Sequence, residues 1–107
     1  MAQLELTDLF PNASQTSLSI TIPKSDLGLT LATNDADHFV AAVAIKAKEY
    51  MTQEQYDNNF EQRVYCTDGF SQFPVKNDGT NDIQFISRQI VINLVEPDEP
   101  TFNPENY

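Results

Sequence analysis

The sequence predicts a small α+β fold: a mostly antiparallel β-sheet packed by one main helix, in the order β-α-(α)-β-β-β, with extended arms at both ends. Three observations carry this reading. A stretch at 35–51 repeats apolar side chains at three- and four-residue steps, the signature of a helix with one covered face. The segment before it and the last third of the chain alternate instead, as half-buried strands do. A length of 107 residues fits one domain with a single core.

Residues 1–15 read as an N-terminal arm. Leu4, Leu6, Leu9 and Phe10 are apolar, and Pro11-Asn12 breaks any regular continuation. Residues 16–22 alternate, with Leu18, Ile20 and Ile22 on one side and Ser17, Ser19 and Thr21 on the other. Pro23 ends that strand, and a turn-rich link follows through Lys24-Ser25-Asp26 and Gly28. The main helix at 35–51 starts with Asn34 placed to cap it and Asp35 and Asp37 in its first turn, near the positive end of the dipole. Phe39, Val40, Val43, Ala44, Ala47, Tyr50 and Met51 form its apolar stripe, with Ile45 off it. Thr52-Gln53-Glu54-Gln55 matches a capping box and Met51 with Tyr56 a hydrophobic staple, so a short second helix is expected at 53–58 after a bend.

The remainder reads as β. Arg63 to Thr67 alternates, and Asp68-Gly69 and Asp78-Gly79 are both tight-turn signals. Pro74 restricts 70–76 to an edge strand or ordered loop. Residues 82–95 form the longest strand candidate, but Ile83 and Phe85 are out of phase with Ile86, Ile90, Ile92 and Leu94. A strand of period two cannot change face without an inserted residue, so a bulge or bend is expected near Ser87-Arg88. The tail at 96–107 is acidic, proline-rich and without a base, and is expected to be extended and solvated. The domain proper is thus placed at 16–95, its core at Leu18, Ile20, Ile22, Phe39, Val43, Ala47, Tyr50, Val64, Cys66, Ile90 and Ile92. Removing either arm is expected to leave it folded.

Composition narrows the chemistry. Sixteen acidic residues against six basic ones leave a net charge of −10. Such a chain repels phosphate, so neither direct nucleic-acid binding nor an anionic membrane surface is expected. No segment approaches the ~20 apolar residues of a membrane span. Cys66 is the only cysteine, which rules out an internal disulfide, and the N-terminus carries no export signal; a cytoplasmic or particle-associated location is expected.

His38 is the only histidine, and beside Asp35 it reads as a surface residue at a helix start. Cys66, mid-strand on an apolar phase, reads as a small buried hydrophobe. Asn77 to Asp82 lacks the alternating ligands of a calcium loop and reads as a hairpin turn. Three glycines leave no phosphate-cradling loop. No catalytic, metal or cofactor-binding residues are therefore assigned, and no cofactor or enzymatic activity is expected.

Surfaces remain. The sequence points to a structural or interaction subunit of a larger assembly, such as a phage virion or phage-tail-like particle, with other protein chains as partners in a homo- or hetero-oligomer. The candidate contact residues are Leu4, Leu6, Leu9 and Phe10 in one arm and Phe102 and Tyr107 in the other. The 82–95 segment, roughly 45 Å when extended against about 25 Å for the main helix, is expected to overhang the helix-covered sheet and leave an open edge. The alternative is an acidic inhibitor or DNA mimic held in a basic groove by charge.

Overall fold

Phe10 is the residue around which the core forms. In the computed structural model, which describes residues 4–96 and 102–107, its ring is 4% exposed. It packs with Leu27 and Ala42, and Leu6, Leu9, Ala13, Ile22, Leu29 and Val43 close round them. The N-terminal segment is thus built into the domain. It holds a one-turn helix α1 (Leu6–Leu9) and a strand β1 (Ser14–Gln15), which pairs antiparallel with β2 (Ile20–Thr21). A second short helix α2 (Lys24–Leu27) follows, and its buried Asp26 accepts from the Asn12 backbone N–H at 2.7 Å and its Nδ2 at 2.9 Å. The boundary expected between 15 and 16 falls inside this small hairpin.

The strand expected over 16–22 is confined to its last part. Thr16 Oγ1 accepts from the backbone N–H of Leu18 and of Ser19, each at 3.2 Å, and closes a turn. Hydroxyl-to-backbone bonding of this kind competes with a ladder. Leu18, placed in the core by alternation, consequently stands 94% exposed, and Ile20 is exposed too. Alternation shows that two faces differ; it does not show that either is covered.

The main helix α3 (Ala36–Tyr50) lies where expected, but Asp35, not Asn34, caps it. Asp35 Oδ1 accepts from the His38 N–H at 3.0 Å, and His38 Nδ1 accepts in return from the Asp35 N–H at 3.3 Å. Its contact line is made of small residues: Ala42 and Ala47 are buried, whereas Phe39 remains 50% exposed and Tyr50 keeps over a third of its surface in solvent. Alanines let α1, α2 and the sheet approach closely, and the bulky members of the stripe are left at its margins. Met51 then bends the chain, and Thr52 caps α4 (Gln53–Asp57) through Gln55 N–H at 3.1 Å. The bend is pinned by Cys66 N–H, which donates to the Met51 carbonyl at 2.7 Å.

Strands β3 (Val64–Asp68), β4 (Val75–Asn77), β5 (Asp82–Gln84) and β6 (Ile90–Leu94) complete the α+β fold, all paired antiparallel. β3 pairs with β6 from Val64↔Leu94 to Asp68↔Ile90, and β4 with β5 from Val75↔Gln84 to Asn77↔Asp82. These ladders are one ribbon. Gly69 N–H donates to Gln89 O at 2.9 Å, Gln72 and Ser87 exchange both backbone bonds, and Phe85 N–H donates to Pro74 O at 2.8 Å. Between the Gly69–Gln89 and Gln72–Ser87 levels, Phe70 and Ser71 stand opposite Arg88 alone. The interruption expected near Ser87-Arg88 is there, with the extra residue contributed by the facing strand.

The two Asp-Gly pairs differ. Gly79 has φ 103° and sits in the turn at the ribbon tip. Asp68-Gly69 is no turn: Gly69 carries the ladder onward, and a Cβ built there would stand 2.5 Å from Gln89 Cβ. Its glycine serves a close approach between strands.

The C-terminal residues 102–107 fold back where an extended, solvated tail was expected. Pro104–Asn106 form a 3₁₀ turn, and Asn106 Nδ2 donates to Glu96 Oε2 at 2.8 Å. The rest of that tail, 97–101, lies outside the described residues. No helix among the described residues is long and apolar enough to cross a membrane.

Candidate interaction surface

Helices α3 and α4 pack on β3, whereas β4 and β5 pack chiefly on each other. Residues 70–86 are exposed throughout, so the outer half of the ribbon projects from the body. The molecule measures 52 × 33 × 27 Å with a radius of gyration of 17.0 Å. A compact domain of this length has a radius of about 13 Å.

The register assigns the faces of the projecting part. Phe73, Val75, Asn77, Asp82, Gln84 and Ile86 share one face; Gln72, Pro74, Lys76, Ile83, Phe85 and Ser87 share the other. Both faces therefore carry large apolar side chains. Phe73 and Val75 are each 61% exposed, and Phe70 at the bulge is 79% exposed. An isolated two-stranded ribbon is marginal in water, and independent stability calls for a third strand or a packed face.

The expected contact residues divide. Phe10 is buried, Leu6 and Leu9 pack against it, and half-buried Leu4 donates its N–H to Gln62 Oε1 at 3.3 Å. These four belong to the chain's own body. Phe102 is exposed and meets half-buried Tyr107 edge-to-face, with ring centres 5.9 Å apart, beside Val64 and Leu94. The Tyr107 hydroxyl is pushed up from its ordinary pKa by burial and then by the Glu96 carboxylate. The exposed apolar residues Phe70, Phe73, Val75, Ile83, Phe85 and Ile86 are not among the expected contact residues. Their signal was present in the overlong strand and in apolar residues falling on both phases.

The ribbon base is fixed by an ion pair, Lys48 Nζ to Asp68 Oδ1 at 2.6 Å, which ties α3 to β3. At its tip Asp78 Oδ1 accepts from Thr80 N–H at 2.9 Å and Asn81 N–H at 2.8 Å. Donation from Asn81 and then Thr80 lowers the Asp78 pKa below its ordinary value. Burial raises the Cys66 thiol. Among the described residues no group of three or more His, Cys, Asp and Glu side chains is placed to hold a metal ion.

These features define a small α+β protein with a projecting, apolar two-stranded ribbon. Comparison with known protein families, curated proteins and solved structures finds no match to this chain.

Proposed function

We propose that the protein is a non-enzymatic structural subunit of a larger protein assembly, such as a phage virion or phage-tail-like particle, in which other protein chains cover its ribbon. One observation carries this reading. The chain exposes 8225 Å² of surface, against roughly 6000 Å² for a compact monomer of its 12.1 kDa mass. The excess, on the order of 2000 Å² on one chain, is more than twice the roughly 800 Å² that each partner buries in a standard protein–protein interface and falls in the range of obligate assemblies. Much of the ribbon's share of it is aromatic and β-branched and is spread over both faces, and exposed apolar surface of this kind marks interaction sites. An inhibitor that mimics DNA would instead concentrate acids on its binding face, yet the ribbon between its base and tip has none from Gly69 to Asn77.

The test is the state of the native protein. Light scattering across concentration and electron microscopy of the native particle should find the chain in a complex with defined stoichiometry. A chain that enters no assembly and turns over a small molecule while solitary would overturn the proposal.

A further inference from the structure

We infer that two copies of this chain join by antiparallel pairing of their β4 edges, about a two-fold axis at Val75, making a four-stranded sheet of two ribbons. The inference rests on the subunit reading and names its partner: a second copy.

The backbone decides which groups are free. Gln72 and Ser87 exchange bonds across the ribbon, and Phe85 N–H reaches the Pro74 carbonyl, so these residues point inward. By alternation Phe73, Val75 and Asn77 turn their N–H and C=O groups outward on one edge, and Asp82, Gln84 and Ile86 on the other. Edges of this kind are normally blocked by proline, charge or a covering element. Pro74 does not block the β4 edge, because the N–H it lacks would have faced inward. None of the outward residues Phe73, Val75 and Asn77 is charged. The other edge is poorer: a two-fold axis at Gln84 would set Asp82 against Ile86 of the second copy.

Charge favours the same contact. Two chains of net charge −10 repel, so they must meet where acids are scarce. The ribbon has none over 69–77 or 83–95, and Lys76 and Arg88 lie on it without an ion-pair partner among the described residues. Pairing about Val75 sets the tip residue Asp78 of one copy level with the uncharged Gln72 and Ser87 of the other. Sliding the pairing by one step toward the tip would instead set Lys76 against Lys76, which like charge disfavours. In the paired sheet Phe73, Val75 and Ile86 of both copies share one continuous face. That removes the marginality of a lone ribbon.

Proline substitution tests the edge. Val75 and Gln84 face each other at a position where neither N–H points inward, so Val75→Pro and Gln84→Pro each delete one outward donor and spare the inner ladder. Light scattering should give the wild-type and Gln84→Pro chains twice the monomer mass at concentrations where Val75→Pro stays single. Amide hydrogen exchange on the wild type gives an independent reading: Phe73, Val75 and Asn77 should become protected as the mass doubles, while Gln84 and Ile86 stay fast. A wild-type chain that remains single at high concentration overturns the inference. So does an assembled wild type whose Phe73, Val75 and Asn77 amides still exchange fast, and that result leaves the subunit reading standing.

Discussion

A phenyl ring stabilises a fold in proportion to the water it gives up, so Phe10 and Phe39 should behave very differently when shortened. Phe10 is almost fully enclosed, and Phe10→Ala should cost about 3–5 kcal/mol. Phe39 keeps half its surface in solvent, and Phe39→Ala should cost about 1 kcal/mol. Urea midpoints of the two variants against the wild type measure both. The sequence ranks these rings the other way. Phe39 sits on a legible helical stripe, while Phe10 stands before a proline in a segment whose partners, Leu27 and Ala42, are far along the chain. Cys66 was legible: an apolar strand position predicted a buried thiol, and the thiol is buried. Its pKa is raised above the ordinary 9.0 by burial, so its contribution is fully present below that value and is lost as pH rises through the folded one. Native protein should therefore react slowly with a thiol reagent that modifies the urea-unfolded chain at once; equal rates would contradict the burial.

At the scale of elements, α3 and α4 were readable because their signals are local, whereas the one-turn helices α1 and α2 stood in segments read as an arm and a link. Caps and stripes involve residues within a turn or two, and the cap at Asp35 in place of Asn34 is a shift by a single position. Asp35→Ala removes the side chain that accepts the His38 amide and should lower stability by about 1 kcal/mol, read from the urea midpoint. Strands are written in pairs, and a sequence shows one member at a time. Residues 16–22 alternate well, yet Thr16 holds a turn there in place of a ladder. Asp68-Gly69 and Asp78-Gly79 are the same dipeptide, and only the strand opposite Gly69 reveals that its hydrogen is needed for Gln89. The interruption near Arg88 could be read because a phase change violates the geometry of any strand, whatever its partner. The tip turn carries its own pH dependence. Asp78 has its pKa depressed from the ordinary 3.8 by the Asn81 and Thr80 amides, so its hold on the turn is present above that value and is lost as pH falls through the folded one. Amide resonances of Thr80 and Asn81 should move together with the Asp78 carboxyl titration below pH 3.8; if they stay fixed while Asp78 titrates, the turn does not depend on that carboxylate.

For the whole molecule, what matters is which parts the body can lose. The projecting ribbon was half legible: an overhanging strand was expected from length alone, but the apolar residues of the N-terminal arm, Leu6, Leu9 and Phe10, are packed into the body. Two truncations separate those roles. Removing residues 1–12 takes Phe10 out of the core and should unfold the body, contrary to what an independent arm would allow. Replacing 70–88 by Asn-Gly should do the opposite, because Gly69 and Gln89 already face each other and a two-residue turn of that type closes an antiparallel pair. Helices α3 and α4 pack on β3 and α1 and α2 on α3, all inside the retained part, so helical circular dichroism should persist and the urea midpoint should move little. The hydrodynamic radius should shrink toward that of a compact domain, and association with other chains should be lost. If the shortened chain unfolds, the ribbon is a structural necessity of the monomer and its exposed phenylalanines need no partner to explain them. If it stays folded and still assembles, the contacts lie elsewhere on the body, and the projecting ribbon is not the surface through which this protein works.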